Sequence, residues 1–99
     1  MTWIVNNPVT GELTPLTKRQ VEVLRTMRRF GDSEDAELVY ERGAGCGWLG
    51  LDRVAPRTIY ALLRLCAISG DASSDGKVAS YIINETGLGL LREIEERGK

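Results

Sequence analysis

The strongest pattern in the sequence lies at residues 55–66, where apolar residues recur at the spacing of an α-helix. A proline follows Ala55, and proline is favoured at the first position of a helix. The apolar set takes positions i, i+3, i+4 and i+7, and consists of Ile59, Leu62, Leu63 and Cys66. The interleaved set points in nearly the opposite direction, and consists of Arg57, Tyr60, Ala61 and Arg64. The segment therefore predicts a helix with one buried face and one basic, aromatic face.

The length and composition indicate one domain and no membrane span. The chain has 99 residues, which is within the usual range of a single domain. Its 42% hydrophobic and 27% charged residues are ordinary values for a globular protein. No apolar run approaches the roughly 18–20 residues of a membrane span, and the N-terminus lacks the pattern of a signal peptide. We therefore expect a cytoplasmic protein without a membrane partner.

The residue types that most catalytic and metal sites need are missing from the sequence. It has no histidine, which removes the commonest general base and the Ser–His and Cys–His nucleophile pairs. The glycines between Gly43 and Gly50 are not followed by the Lys-Ser/Thr of a phosphate-binding loop. The two cysteines form neither a disulfide framework nor a zinc motif, so we expect Cys66 to be buried and Cys46 to lie in a loop. The sequence predicts no enzyme, no cofactor and no metal.

The first third of the chain predicts a short arm and then a helix. Residues 3–5 indicate a strand in an N-terminal arm at residues 1–15, and the stretch just before the helix indicates a loop over Thr14-Pro15-Leu16. Thr17 and Gln20 have the spacing of a capping box at the start of a helix, and Gly31 is suited to end it. The predicted buried stripe of this helix consists of Val21, Leu24 and Met27.

The middle of the chain predicts a second helix at residues 33–42. Ser33 is a favourable cap, and acidic residues follow it in the first turn, where the helix dipole favours them. The apolar side of this helix would consist of Ala36, Val39 and Tyr40. Residues 43–47 indicate a flexible loop, and residues 48–51 are compatible with either a short helix or an extended segment.

The pattern changes from helix to strand after residue 66. Residues 67–69 and 78–83 indicate two strands, joined by a turn-rich loop at residues 70–76. Residues 84–87 open a last helix, and its predicted buried residues are Leu90, Leu91 and Ile94. Three helices, a hairpin and a further helix follow the order of a winged helix.

Three segments resemble regulators of the multiple-antibiotic-resistance (MarR-like) type. Residues 16–27 (LTKRQVEVLRTM) resemble the first core helix of that family. Residues 54–69 (VAPRTIYALLRLCAIS) resemble a recognition helix that runs into the first wing strand, and residues 80–96 (SYIINETGLGLLREIEE) resemble the second wing strand and the helix after it. The resemblance covers residues 16–97. It implies an α+β, mostly helical winged-helix domain at residues 16–99, with a three-helix core, a β-hairpin wing and a C-terminal helix.

The resemblance also implies a small transcriptional regulator that binds duplex DNA sequence-specifically, with the helix at residues 55–66 in the major groove. Arginine can donate two hydrogen bonds to guanine, and hydroxyl groups can bind phosphates or base edges. The implied DNA-binding residues are Arg53, Arg57, Thr58, Tyr60, Ala61, Arg64, Lys77 and Arg25. One recognition helix contacts few bases, so a homodimer is expected. The short chain favours an accessory regulator of the kind that phages and other mobile elements carry.

Charge is distributed unevenly along the chain, although the net charge is only −1. Residues 15–30 have a net charge of +4 and residues 52–66 a net charge of +2, whereas residues 31–42 have a net charge of −4. A chain that is neutral in total can therefore carry a basic face.

Two features favour an alternative function, a winged-helix module that binds a protein and not DNA. The predicted wing carries Asp71 and Asp75 against a single basic residue, Lys77. The chain is also mildly acidic, with a net charge of −1. The long, glycine-rich loop before the predicted recognition helix is a separate departure from the family pattern. In this alternative, the acidic residues within 32–41 would form a docking site for a basic protein partner.

Overall fold

Three helices pack beside a five-stranded antiparallel sheet and a separate two-stranded sheet in the computed structural model, which describes residues 2–31 and 37–97. Helices and strands take nearly equal shares of these residues. In chain order the elements are β1 (Thr2–Asn6), β2 (Leu13–Thr17), α1 (Lys18–Phe30), β3 (Leu38–Glu41), β4 (Cys46–Leu49), β5 (Asp52–Val54), α2 (Pro56–Arg64), β6 (Ile68–Ala72), β7 (Val78–Ile83) and α3 (Glu85–Arg97).

The predicted fold class, a mostly helical winged helix, is wrong. The segment predicted as its second core helix, residues 33–42, contains strand β3, which pairs with β4 on one side and β7 on the other. Residues 33–36 of that segment lie outside the described residues. Leu38 is fully buried and lies opposite Leu49 and Tyr81, so apolar pairing across the sheet holds this stretch extended. A strand at this position leaves no helix between α1 and α2 in the part of the chain that is described.

The region between β3 and α2 is extended rather than a flexible loop. Gly45 donates its N–H to the carbonyl of Glu41 (3.0 Å) and closes a β3–β4 hairpin. The segment at residues 48–51, for which the sequence left helix and extended chain open, provides the end of β4 and the turn into β5. A Cβ on Gly47 would meet the Ile59 side chain, so α2 packs directly on the β4 backbone at this residue.

The strand predicted at residues 78–83 is confirmed as β7, whereas the strand predicted at residues 67–69 is found as Ile68–Ala72, so residues 70–72 of the predicted loop are also strand. The two strands do not form a free wing. The strand order in the large sheet is β5-β4-β3-β7-β6, with every neighbouring pair antiparallel. The β6–β7 hairpin is therefore one side of a continuous sheet. Strand β7 is held in the interior of that sheet by β3, and the hairpin cannot move independently against a ligand without breaking this pairing.

The predicted buried residues of the helices are largely confirmed. Within the described residues, one core joins the apolar stripe of α1, the inner face of α2 and the inner face of α3. Its helical members include Val21, Leu24, Met27, Ile59, Leu62, Leu90, Leu91 and Ile94. Leu63 of α2 is only partly buried and packs at the edge of this core. The helix predicted at residues 55–66 is found as α2 over Pro56–Arg64, and of its predicted inward face Ile59 and Leu62 are buried, whereas Cys66 lies beyond the helix.

The N-terminal arm forms a hairpin within the chain. The predicted strand at residues 3–5 is confirmed as β1, but the loop predicted over residues 14–16 is wrong, because these residues belong to β2 and pair with β1. Val5 and Leu16 are both fully buried, which gives this stretch its extended form. The arm is therefore packed on the domain core, and the division at residue 15 does not separate it from that core.

The predicted helix boundaries are confirmed where side chains cap them. The Thr17 hydroxyl accepts from the N–H of Gln20 (3.2 Å), and the Gln20 side chain accepts from the N–H of Thr17 (3.0 Å). Helix α1 ends at Gly31, whose N–H donates to Met27. At the start of α3, the side-chain oxygen of Asn84 accepts from the N–H of Gly87 (3.0 Å).

The two cysteines exchange the environments that the sequence predicted. Cys46 is buried in β4, whereas Cys66 is exposed and has φ of 54°. Helix α2 stops at Arg64, so Cys66 lies past the end of the helix and off its apolar face. The side-chain amide of Asn84 donates to the carbonyl of Cys66 (2.7 Å) and holds this bend against the start of α3.

Candidate nucleic-acid interface

The outer face of α2 carries two arginines and a tyrosine. The helix buries Ile59 and Leu62 against the core, and its period places the opposite side in solvent. That exposed side carries Arg57, Tyr60 and Arg64. Arg57 and Arg64 are separated by seven residues, or about 10.5 Å along the helix axis. Ala61 is half-buried beside them. The structure thus brings four of the eight residues predicted to bind DNA to one side of one helix, with basic side chains at both of its ends.

The charges of Arg57 and Arg64 are not neutralised by ion pairs among residues 2–31 and 37–97. Helix α2 contains no acidic residue. Other arginines differ in this respect: Arg28, for example, pairs with Glu95 of α3 at 2.5 Å. An arginine with no carboxylate partner keeps its five N–H donors available for an acceptor on another molecule.

Tyr60 is held in place by a second tyrosine from the sheet. Its hydroxyl lies 3.5 Å from the hydroxyl of Tyr40 on β3, and the two rings meet edge to face with centroids 6.1 Å apart. The hydrogen bond with Tyr60, and secondly desolvation, raise the pKa of Tyr40 above its ordinary value. Tyr40 is therefore neutral at physiological pH and can take part in this hydrogen bond as donor or acceptor.

A cleft opens between the first turns of α1 and α2, and we refer to it as the N-terminal cleft. It has a volume of about 630 Å³. Its lining residues are Thr17, Arg19, Gln20, Arg53, Ala55, Arg57 and Thr58. Arg57 thus belongs both to the outer face of α2 and to the cleft. Three guanidinium groups, those of Arg19, Arg53 and Arg57, line this one depression.

Thr58 does not share the outer face of α2. Its side chain is only 7% exposed, and it lines the N-terminal cleft. Its backbone N–H donates to the carbonyl of Ala55 (3.0 Å) in the first turn of the helix. Thr58 therefore lies beneath the arginines, where a groove-bound base edge would not reach it but a small group in the cleft would.

Arg53 is exposed on β5, at the edge of the large sheet, and its backbone is tied to α1. Its carbonyl accepts from the guanidinium of Arg19 (2.9 Å). Arg19 also pairs with Asp52, with 3.1 Å between nitrogen and oxygen. These bonds fix the position of β5 beside the start of α1 and leave the Arg53 side chain on the cleft.

Arg25 and Lys77 lie apart from the cleft lining. Arg25 is exposed on α1, and Lys77 is exposed in the turn between β6 and β7. That turn also holds Asp75, whose carboxylate accepts from the Ser73 hydroxyl (2.6 Å) and the Lys77 N–H (3.0 Å). These two bonds lower the pKa of Asp75, so a fixed negative charge sits beside Lys77 and makes the hairpin tip a poor phosphate contact.

Sequence reasoning did not single out Arg19. It lies 34 positions from Arg53, and only the packing of β5 beside α1 brings the two together. No local spacing predicts this approach, because β5 itself was not predicted.

The acidic segment at residues 32–41 is described only in its second half. Residues 32–36 lie outside the described residues, Glu37 accepts a hydrogen bond from the Ser80 hydroxyl, and Glu41 is exposed at the end of β3. A docking role for this segment stays a prediction.

Neither a metal cluster nor a membrane helix is found in the described ranges. No group of three or more metal-ligating side chains occurs there. None of the helices is long and apolar enough to cross a membrane.

Comparisons of the chain with protein-family models, with curated proteins and with solved structures gave no match. The MarR-like resemblance of the sequence therefore stays a prediction. Function is inferred below from the outer face of α2 and from the charges that surround it.

Proposed function

We propose that this protein binds duplex DNA sequence-specifically through the outer face of α2. The observation that carries the proposal is that Arg57 and Arg64, two turns apart, are exposed and have no ion-pair partner among the described residues, on a helix without acidic residues. Two unpaired positive charges on one helix face attract a polyanion such as DNA. Binding rather than catalysis is the proposed role.

The side chains of this face suit the edges of base pairs in the major groove. The groove is about 12 Å wide and admits a helix, and an arginine can donate two parallel hydrogen bonds to O6 and N7 of guanine. Tyr60, between the two arginines, offers a hydroxyl to a phosphate or base edge. Ala61 adds little bulk, which allows the helix axis to approach the bases.

A regulator of transcription in the cytoplasm is the setting that we propose for this binding. One helix of this length reads only a few base pairs, so two copies on adjacent half-sites would be needed for specificity. The five-stranded sheet takes the place of the winged-helix core as the support for α2. The proposal accordingly rests on the face of α2 and not on fold similarity.

A second candidate function is binding of a protein partner, and one apolar surface favours it. Leu51 is 100% exposed, and Phe30 is 42% exposed at the end of α1. Both line a shallow depression with Thr26 and Leu49. Exposed apolar side chains next to each other are typical of interaction sites.

The test is a titration of labelled duplex DNA by fluorescence anisotropy at two salt concentrations. We expect binding that weakens steeply with salt, as counterion release requires. The Arg57→Ala, Arg64→Ala double variant should lose most of this binding. The matched control is Arg92→Glu on α3, which changes the net charge by the same two units at another exposed residue and should bind nearly as wild type.

Two results would count against DNA binding. One is the absence of binding at low salt with high-micromolar protein. The other is an equal loss of affinity in the double variant and in Arg92→Glu, because total charge and not the face of α2 would then set the affinity. In either case the apolar surface around Leu51 becomes the first place to look for a protein partner.

A further inference from the structure

The N-terminal cleft is lined by positive charges that ion pairs do not fully neutralise. Arg19 is committed to Asp52 and to the Arg53 carbonyl. Arg53 and Arg57 line the same cleft and form no ion pair among the described residues. The cleft therefore holds two unpaired guanidinium groups beside that of Arg19, which pairs with both Glu22 and Asp52.

The start of α2 adds one backbone donor to these charges, the N–H of Arg57, because Pro56 has no N–H and the N–H of Thr58 donates to the Ala55 carbonyl. The N-cap residue is Ala55, which has no side chain able to accept a hydrogen bond, and no acidic residue lies in the first turn. By contrast, the start of α1 is closed by its own capping box of Thr17 and Gln20. Of the two helix ends at the cleft, α2 alone presents an uncapped positive end.

The Thr58 hydroxyl is the feature that points to a ligand. The residue is more than nine-tenths buried, yet its hydroxyl has no hydrogen-bond partner among residues 2–31 and 37–97. No side-chain nitrogen or oxygen among the described residues is both sealed from solvent and without a partner, so this hydroxyl must reach the open space of the cleft that Thr58 lines. A hydroxyl that opens onto the cleft and has no partner in the fold is free to donate to an acceptor bound there.

We propose that the N-terminal cleft binds one phosphate group. Arg53 and Arg57 would compensate its charge, and the Thr58 hydroxyl and the backbone N–H of Arg57 would donate hydrogen bonds to its oxygens. Several donors converging from different directions suit a tetrahedral dianion better than a planar carboxylate. The cleft has a volume of about 630 Å³, several times that of a phosphate, which leaves room for the group that carries it.

This site goes beyond the proposed function and does not depend on it. Tyr60 and Arg64, which would read bases, do not line the cleft. The phosphate could belong to a small phosphorylated molecule or to the backbone of bound DNA. Both sources have the same chemistry, and the experiment separates them.

The experiment is a titration of the ¹⁵N-labelled full chain with inorganic phosphate, followed by amide shifts at constant ionic strength with chloride as reference. We expect saturable shifts at Arg57 and Thr58. Thr58→Val, which keeps the shape of the side chain and removes the hydroxyl, should weaken phosphate binding about tenfold, as should Arg53→Gln. Arg64→Gln removes the same charge as Arg53→Gln, but from a residue of α2 that does not line the cleft, and should leave phosphate binding unchanged.

Shifts that do not saturate, that chloride reproduces, or that are the same in Thr58→Val would overturn the proposal. If Thr58→Val alters the whole amide spectrum, Arg53→Gln on the exposed edge of the sheet provides the independent test. If the wild-type protein binds phosphate but not duplex DNA, the proposed function is wrong and the phosphate site in the cleft stands. If it binds duplex DNA but not phosphate, only the proposal of a phosphate site in the cleft is wrong.

A second titration with phosphate, on protein saturated with duplex DNA, identifies the source. Phosphate that no longer binds would mean that the cleft receives a phosphate of the DNA backbone. Phosphate that binds as before would assign the cleft to a small phosphorylated ligand. Both results support a phosphate site, and they differ only in what carries the phosphate.

Discussion

The hydroxyls of Tyr40 and Tyr60 lie 3.5 Å apart and join strand β3 to the outer face of α2. The segment that contains Tyr40 was predicted to be helical and is a strand, so this contact exists only because the sheet replaces the expected second helix. It fixes a side chain of the candidate DNA-binding face from an element that sequence reasoning placed elsewhere.

This contact predicts a change of stability at alkaline pH. The pKa of Tyr40 is raised in the folded protein above its ordinary value of 10.0, chiefly by the hydrogen bond with Tyr60. A raised folded-state pKa contributes stability that is complete below the unfolded pKa and is lost as the pH rises through the folded pKa. In urea unfolding, the contribution of this contact to the free energy of unfolding should therefore be constant from pH 7 to about 9. It should decline above about pH 10.

The control for this prediction is Tyr40→Phe, which removes the titrating hydroxyl and keeps the ring. Other groups also titrate in this range, so the relevant quantity is the difference between wild type and variant. That difference should shrink above pH 10. A difference that stays constant up to pH 11 would mean that the two hydroxyls do not interact in solution.

Arg64→Lys should separate base recognition from charge. Lysine keeps the positive charge but cannot donate the two parallel hydrogen bonds of a guanidinium. We expect the salt dependence of DNA binding to stay nearly the same, while the preference for the best sequence over a random duplex falls by about 1–3 kcal/mol. Competition titrations with the two duplexes measure this, and an unchanged preference would place Arg64 on the backbone and not on a base.

Much of the fold could be predicted where a short-range pattern decides the structure. Helix α2 follows from apolar residues three and four apart, and α1 follows from its capping box and from Gly31. Strand β3 could not be predicted, because Val39 and Tyr40 suit the face of a helix as well as that of a strand. What decides the matter is the pairing of Leu38 with Tyr81, which lies 43 positions away.

The residues of the candidate site also divide into those that local spacing predicts and those that only tertiary packing brings together. Arg57, Tyr60 and Arg64 share one helix, so their common face could be predicted from spacing alone. The N-terminal cleft could not, because Arg19 and Arg53 meet only through the packing of β5 beside α1. The resemblance implied that Thr58 faces DNA, but the residue lies beneath the outer face, four and seven positions before the buried Leu62 and Leu65.

Gly47→Ala should disturb the packing of α2 on the sheet. An added Cβ would meet the Ile59 side chain and would lie 3.3 Å from the Val39 carbonyl oxygen. We expect a loss of about 1–3 kcal/mol in the free energy of unfolding, as for other overpacked cores. Gly43→Ala is the matched control, because a Cβ there meets nothing within 4 Å and its effect on urea unfolding should be small.

Asn84 should be the most sensitive residue at the junction between α2 and α3. Its side-chain oxygen caps α3 at the N–H of Gly87, and its side-chain nitrogen donates to the carbonyl of Cys66. Asn84→Ala removes both bonds and should cost about 1–2 kcal/mol or somewhat more, given the usual cost of a lost cap. Asn84→Asp keeps the capping oxygen and loses only the donor, so its cost in urea unfolding should be smaller at neutral pH. An equal cost for the two variants would show that the bond to Cys66, and not the cap, stabilises this junction.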